Sequence, residues 1–436
     1  MLPQEVIRHK RDGKKLTEEE IDFFVRGIVD WSISECQIAA FAMAMFLKDT
    51  DIDETVALTK AMAASGETIV WHDAALPGPV TGGYFSGGKI NLIFAPLVAA
   101  CGGFVPTVAM RSQNFSDGLA EKLNSIPGYA TVLETAELSR IVREIGCAVV
   151  AQAGDLVTAG KRLFAVTDAT ATSESFSLKT AFMLSSKLAT GLDSLVLNLH
   201  CSDLSCENDM EKARLSAQKI VRVSKGVRMP AGAVLSGCDR IAGRTAGNAV
   251  EVAEAVAYLN GSSKEPYLHD VTLALCSEAL ILSGLAAQRD EAREKLQRAL
   301  DSGKAAEIFA RMVTALGGAA DFTEKPNAYL PAAPVVRPVY ARKSGYVSEI
   351  NPVEIDKIVA VLGGRRLSPF SPANPAVGLT DIVGIGEEVD ADRPLAFIHA
   401  ADEETFARAE EMVHNGIRTA EEKPVCKTAV YETITA

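Results

Sequence analysis

Ser194-Leu-Val-Leu-Asn-Leu-His-Cys201 and Met229-Pro-Ala-Gly-Ala-Val-Leu-Ser236 are two short apolar runs that decide the fold class. Each has the length of a buried strand, and the segment between them, Met210 to Ser224, has the apolar spacing of a helix. This order favours a parallel pair, because a crossover helix returns the chain to the start of the sheet. Ala148 to Gln152 predicts a further strand, and helices are predicted over 137–145, 178–189, 270–284, 289–300 and 304–316. The sequence therefore predicts an α/β domain around a largely parallel sheet.

Three amphipathic helices are predicted before this domain. Thr17 and Glu20 form a capping box, and Ser34 and Gln37 repeat the signal before a second helix. Asp53 is the predicted cap of a third helix. Helices this apolar usually pack against something, so a dimer interface is expected here.

The chain changes character after residue 325. Pro326, Pro331, Pro334 and Pro338 predict an extended connection, since proline lacks an amide donor. Val339 to Ile350 alternates around Ser344-Gly345 and predicts a hairpin. Short strands over 384–399 and a helix over 403–415 follow, which together predict a C-terminal α+β module.

Composition excludes several classes of protein. The chain has 436 residues and a formal net charge of -12, which disfavours nucleic-acid and anionic-membrane binders because both need a basic surface. No segment has the roughly 18 uncharged apolar residues of a membrane span. Eight cysteines lie without framework spacing, as in reduced thiols. We expect a cytoplasmic protein.

The chain resembles the thymidine phosphorylase and pyrimidine nucleoside phosphorylase family over essentially its whole length. The matching segments are Val6-Ile-Arg-His-Lys-Arg-Asp-Gly13, Val98-Ala-Ala-Cys-Gly-Gly103, Lys122-Leu-Asn-Ser-Ile-Pro-Gly128, Ala246-Gly-Asn-Ala-Val-Glu-Val252, Asp270-Val-Thr-Leu-Ala-Leu-Cys276 and Gly303-Lys-Ala-Ala-Glu-Ile-Phe309. The resemblance implies the nucleoside phosphorylase type II fold: a helical domain, an α/β domain and a C-terminal module. It also implies a homodimer through the N-terminal helices.

Domain boundaries follow from the pattern and the resemblance together. The helical domain is expected over 1–66, with 158–189 inserted back into it. The α/β domain is expected over 71–157 and 190–325, the proline-rich connection over 326–338, and the C-terminal module over 339–436.

The resemblance implies reversible phosphorolysis of pyrimidine nucleosides, but the residues that carry it in the family are replaced. The family loop Asp-Lys-His-Ser-Thr-Gly-Gly-Val-Gly-Asp aligns with the glycine-rich stretch Gly82 to Gly88. The phosphate lysine falls on Gly83, the pyrimidine-side histidine on Tyr84, and a phosphate serine on Phe85. A Walker-type loop is not favoured here either, because Ile90 stands where the magnesium-binding hydroxyl is required.

The family's residues are also replaced at the other phosphate- and pyrimidine-binding positions. The family's next phosphate serine falls on Asn91, and its last two hydroxyls fall on Ala109 and Leu119. On the pyrimidine side, the family's arginine, serine and lysine align with residues that cannot read the base edge in the same way: Thr167, Phe182 and Ser186. Losing several charge-assisted hydrogen bonds, at about 1.5–3 kcal/mol each, makes ordinary thymidine phosphorolysis improbable.

Ten residues are candidates for a site in the inherited cleft. The catalytic candidates are Tyr84, Lys89, Arg111 and His200, and the substrate-binding candidates are Ser86, Asn91, Ser116, Thr167, Phe182 and Ser186. Lys89 is a candidate replacement for the lost lysine, and Arg111 either contacts an anion or pairs with a carboxylate. His200 is either an acid–base group or a structural histidine. The aromatic side chains of Tyr84, Phe85 and Phe182 either stack on a less polar ligand or fill a binding site that is no longer used.

No metal site or cofactor is expected. His200, Cys201, Asp203 and Cys206 are close in sequence, but the Cys-x4-Cys spacing is looser than that of zinc knuckles and no second pair follows. Two functions remain open: a diverged pentosyl-transfer enzyme acting on a nucleoside- or pentose-type ligand, or a catalytically silent binding, regulatory or structural dimer.

Overall fold

Four helices open the computed structural model, which describes residues 1–71, 76–85, 88–109, 118–200, 210–237, 239–366 and 372–435. They are α1 (Pro3–Arg11), α2 (Glu18–Val29), α3 (Glu35–Lys48) and α4 (Ile52–Ala63). The predicted capping boxes at Thr17 and Ser34 are confirmed, each with its hydroxyl accepting from the third helical amide. The predicted cap at Asp53 is wrong: Asp51 accepts from the amide of Glu54 and starts α4 two residues earlier.

The α/β domain begins with alternating strands and helices. They are β1 (Thr81–Phe85), α5 (Gly88–Ala100), β2 (Val105–Val108), α6 (Leu119–Asn124), β3 (Val132–Leu133), α7 (Thr135–Ile145), β4 (Cys147–Val150) and β5 (Gln152–Ala153). Two helices then return to the N-terminal bundle: α8 (Thr158–Ala169) and α9 (Phe176–Ala189). Arg162 on α8 pairs with Glu35 on α3, and Ser177 on α9 donates to Asp49 at 2.5 Å. The inserted helices are therefore fixed to the bundle by side chains from both.

The second half of the domain supplies the centre of the sheet. Its elements are β6 (Ser194–His200), α10 (Met210–Gly226), β7 (Ala231–Ser236), β8 (Ala246–Gly247), α11 (Ala249–Leu259), α12 (Pro266–Leu282), α13 (Arg289–Asp301) and α14 (Lys304–Ala315). Strand β6 lies between β1 and β7 and pairs in parallel with both. The two apolar runs at Ser194 and Met229 predict the parallel pair of β6 and β7. A parallel bridge between Val80 and Phe104 joins β1 to the β2–β4 pair.

The C-terminal region contains α15 (Pro326–Tyr329), β9 (Val335–Val339), β10 (Gly345–Ile350), α16 (Pro352–Val361), β11 (Gly378–Thr380), β12 (Glu388–Val389), β13 (Ala396–Ala400), α17 (Glu403–Gly416), β14 (Ile417–Ala420) and β15 (Val430–Thr435). The predicted hairpin around Ser344-Gly345 is wrong, because β9 pairs with β13 whereas β10 pairs with β12 and β14. The proline-rich connection is not uniformly extended either, since Pro326 starts a helical turn and Pro338 lies in the edge strand β9.

Two strand pairings connect the C-terminal module to the α/β domain. Strand β8 of the α/β domain pairs with β11 of the module, and β15 returns to pair antiparallel with β7. Burial divides the molecule into one large core, which runs through the helical and α/β domains, and a smaller core in the module. Within the described residues, no helix is long and apolar enough to cross a membrane.

Candidate functional site

The carboxyl ends of the parallel strands are the natural place for a ligand in a sheet of this kind. Strand β1 ends at Phe85, opposite Asn198 of β6, and β6 ends at His200, opposite Ser236 of β7. The hydroxyl of Ser236 donates to Oδ1 of Asn198 at 2.7 Å, and both side chains are buried. The glycine-rich segment and the ends of β6 and β7 therefore meet at one edge of the sheet.

A phenylalanine ring fills the space beside Gly83, the residue on which the sequence resemblance predicts the family's phosphate lysine to fall. A Cβ placed on Gly83 would lie 1.9 Å from the Cζ atom of Phe85, which is far below any allowed contact. The Phe85 ring is 2% exposed and packs edge-on against Phe94, with ring centroids 4.8 Å apart. The backbone at residue 83 therefore cannot carry any side chain while the ring stays where it is.

Tyr84 is the residue of β1 that faces outward. It is 42% exposed, whereas the other four residues of the strand are buried. The alternation of a strand explains this, because Gly83 and Phe85 lie on one face and Tyr84 lies on the other. Tyr84 therefore presents its phenol on the face of β1 opposite to the Phe85 ring.

Lys89 is buried and fully engaged with the protein. Its ammonium donates to the carbonyl oxygens of Ala242 and Thr245, at 2.7 and 3.0 Å, and to Oε2 of Glu254 at 2.5 Å. An ammonium has three donors, and these three acceptors use all of them. A role for Lys89 in binding phosphate would require it to leave this set of acceptors.

The hydroxyls predicted to bind substrate on α8 and α9 donate to their own helices. Thr167 donates to the carbonyl of Phe164 at 2.8 Å, and Ser186 donates to the carbonyl of Met183 at 2.7 Å. Each oxygen keeps its acceptor capacity, but its proton is used. In their present orientation these two hydroxyls therefore have no proton to donate to a ligand. Asn91, a further candidate, is buried on α5.

An aromatic pair lies on the same two helices. Phe182 of α9 stacks on Phe164 of α8, with centroids 4.4 Å apart and planes inclined by 16°. Asp168 follows Phe164 by one helical turn, and its Oδ2 is buried without a hydrogen-bond partner among the described residues. Sequence reasoning selected Phe182 but missed Phe164 and Asp168. Their i, i+4 spacing on a predicted helix beside Thr167 is a signal that could have identified them.

Polar groups also gather just beyond β7. Tyr267 donates to the carbonyl of Gly237 at 2.6 Å, and burial raises the pKa of its phenol. Arg240 pairs with Asp239, at 3.1 Å, and its guanidinium lies 5.3 Å from the centre of the Tyr267 ring. Sequence reasoning also missed this cluster, to which the fold adds Tyr267 from 30 positions along the chain.

Several predicted residues lie outside the described part of the chain: Ser86, Arg111, Ser116, Cys201, Asp203 and Cys206. The backbone of His200 ends β6, and its side chain belongs to the same undescribed part. Among the residues that the structure describes, no group of three or more His, Cys, Asp or Glu side chains could hold a metal ion.

Comparison with known proteins assigns the family. Residues 4–66 match the glycosyl transferase family helical bundle domain, and residues 80–306 match the a/b domain of the same family. Residues 346–420 match the pyrimidine nucleoside phosphorylase C-terminal domain. Among solved structures, the chain is similar to anthranilate phosphoribosyltransferase (TrpD) from Thermus thermophilus. The TM-score is 0.58 with 17% sequence identity, and the match covers 71% of this chain and 99% of that one. That likeness supports the fold alone, whereas the three family matches show that the chain belongs to the thymidine and pyrimidine nucleoside phosphorylase-like glycosyl transferases.

Proposed function

We propose that this chain is a pentosyl-transfer enzyme whose substrate is a nucleoside- or pentose-type ligand other than thymidine or uridine. In such a reaction the bond between C1′ and the aglycone breaks and takes its electron pair to the leaving group, while an incoming oxygen forms the new bond at C1′. The family assignment supports pentosyl or phosphoribosyl transfer as the class of reaction. The replaced residues support a different ligand within that class.

The Phe164–Phe182 pair is the observation that carries the proposal. It occupies the two helices that read the pyrimidine edge in the family, and the hydroxyls beside it have already donated their protons. An enzyme in which Thr167 and Ser186, the described hydroxyls on these helices, have no proton to donate gains nothing from them in stabilising negative charge on a leaving pyrimidine. It can still release an aglycone that departs as a neutral heterocycle.

The chemistry around the pair favours a positively charged aromatic aglycone, as in an N-glycosyl pyridinium. Such a group has an aromatic face for stacking and carries its charge before the bond breaks. The unpartnered carboxylate oxygen of Asp168, one turn from Phe164, is a suitable counter-charge. Tyr84, at 42% exposure, offers a further aromatic surface.

The residues at the positions expected to bind phosphate also support a ligand different from that of the family. The Phe85 ring excludes a side chain at Gly83, and Lys89 is committed to Glu254. Of the remaining predicted site residues, Arg111, Ser86, Ser116 and His200 stay candidates for contact with the sugar or an anion.

Equilibrium binding tests the ligand class. Isothermal titration with a ribosyl pyridinium and with thymidine should show that only the pyridinium binds. Phe182→Ala should weaken that binding about 5- to 150-fold, since base–aromatic stacking contributes about 1–3 kcal/mol. Phe94→Leu is the matched control, because Phe94 packs on Phe85 and not on the Phe164–Phe182 pair. Tighter binding of thymidine than of the pyridinium would contradict the proposal, and binding of neither would favour the silent dimer.

We also propose a homodimer through the N-terminal helices, in the cytoplasm. Helix α3 exposes Met43, Phe46 and Leu47, and the neighbouring Trp31 is 72% exposed. A second copy would cover these exposed apolar side chains. Sedimentation velocity should give a dimer for the unaltered protein and a monomer for Leu47→Glu. A monomeric unaltered protein would contradict this part of the proposal.

A further inference from the structure

Arg365, which follows helix α16, has a buried donor without an acceptor. Its Nε and Nη2 both donate to Oδ1 of Asp356. Its Nη1 is buried and has no hydrogen-bond partner among the described residues. A guanidinium cannot lose its charge in a protein, so an unpartnered buried N–H group carries a desolvation cost that a ligand could remove.

Lys122, on α6 of the α/β domain, lies near the same backbone position as Nη1 of Arg365. A Cβ placed on Gly118 would lie 2.3 Å from Nη1 of Arg365 and 3.0 Å from Nζ of Lys122. Gly118 also has a φ of +69°, a conformation that favours glycine. The two cations therefore converge on a backbone position that has no side chain and accepts none without strain.

Electrostatics around this point favours negative charge. Nζ of Lys122 lies 3.3 Å from Oε2 of Glu251. Burial by itself would raise the pKa of Glu251, but Lys122, Lys89, the amide of Gly247 and Arg365 together hold it below its ordinary value. The groups around the carboxylate therefore more than offset the cost of burying a negative charge there.

We propose that Arg365 and Lys122 form an anion subsite for a phosphoryl group, either inorganic phosphate or the phosphoryl group of a pentose phosphate. This inference rests on the proposed function, for which it supplies the anion-binding group. Planar N–H donors of arginine match the oxygens of phosphate, and Nη1 is the donor of Arg365 that Asp356 leaves unused.

The subsite lies next to the glycine-rich segment. A Cβ on Gly88, the first residue of α5, would lie 2.9 Å from Cα of Leu119 and 3.1 Å from Cδ of Lys122. In this proposal, Lys122 of α6 and Arg365 of the C-terminal module supply the positive charge that the resemblance expects from a lysine at residue 83. The module then takes part in binding as well as in folding, because Arg365 belongs to it.

Titration of the full chain with inorganic phosphate and, separately, with ribose 1-phosphate at constant ionic strength tests the subsite. Arg365→Gln should raise the Kd of both ligands about tenfold or more, the effect of losing one hydrogen bond to a charged group. Asp356→Asn is the matched control, because it removes the same ion pair but leaves Nη1 in place. We expect Asp356→Asn to bind within about threefold of the unaltered protein. Tighter binding of ribose 1-phosphate than of phosphate would identify the sugar phosphate as the source of the anion, and equal binding would identify free phosphate.

Circular dichroism verifies the fold of each variant, and Arg365→Lys replaces Arg365→Gln should the latter fail to fold. Arg365→Lys keeps the charge but loses the planar donors, so it should also bind both anions more weakly. Unchanged Kd values in the Arg365 variants, or no binding by the unaltered protein, would overturn the inference. The anion titration contains no aglycone. Its result therefore does not depend on whether the ribosyl pyridinium binds.

Discussion

Gly83→Ala is the perturbation that most sharply probes the packing of the glycine-rich segment. The new Cβ would lie 1.9 Å from Cζ of Phe85, and the ring is held by Phe94 and is 2% exposed. Overpacking of a well-filled core costs about 1–3 kcal/mol, so we expect a loss of that size in the free energy of unfolding. Phe85→Ala alone should cost about 3–5 kcal/mol, because it leaves a cavity beside Phe94.

The double variant separates this contact from general damage. With the ring removed, the methyl group at residue 83 has space, so the two losses should not add. We expect the double variant to be about 1–3 kcal/mol more stable than the sum of the single losses. Urea unfolding followed by circular dichroism measures all four proteins.

Gly82→Ala provides the matched control on the opposite face of β1. Its Cβ would meet Cδ1 of Leu192 at 2.6 Å and does not meet Phe85. Its effect should therefore add to that of Phe85→Ala within about 0.5 kcal/mol. Additive losses for the Gly83 and Phe85 variants would refute the conclusion that the ring fills the space beside Gly83.

Two further predictions concern buried carboxylates. Glu254→Ala should cost about 3–5 kcal/mol in urea unfolding, because it leaves Lys89 buried without its counter-charge; the exposed Glu137→Ala, which breaks an ion pair with Arg140, should cost less than about 1 kcal/mol. Burial raises the pKa of Glu278, with Arg289 acting in the opposite direction, so the folded state holds that proton more tightly than the unfolded state does. Stability from this group is therefore lost as the pH rises from the ordinary glutamate range through the folded-state pKa. Glu278→Gln should leave stability nearly unchanged below pH 4 and increase it at pH 7; equal effects at both pH values would contradict the shift.

Local signals predict the scaffold of this chain well. The Thr17 and Ser34 caps locate α2 and α3, because capping depends on residues three positions apart. The apolar runs at Ser194 and Met229 predict β6 and β7, since buried parallel strands are continuously apolar. Alternation over Val339 to Ile350 indicates two strands but not their partners, which lie in two different sheets.

The chemistry of the site is less accessible to sequence reasoning. Aligned positions suffice to predict that Gly83 has lost a lysine, but only the folded chain places the Phe85 ring over it. Lys89 could not be matched to Glu254, because the two residues are 165 positions apart. Thr167 and Ser186 have hydroxyls, but the sequence does not reveal that each donates to its own helix.

Turnover with inorganic phosphate most directly tests the central claim, that this chain transfers a pentosyl group but not from thymidine. The protein is incubated with thymidine, with uridine and with a ribosyl pyridinium, and released aglycone and pentose phosphate are detected by mass spectrometry. We expect release of the pyridine and formation of ribose 1-phosphate, with no release of thymine or uracil above the uncatalysed rate. Rapid release of thymine, with the pyridinium left intact, would contradict it.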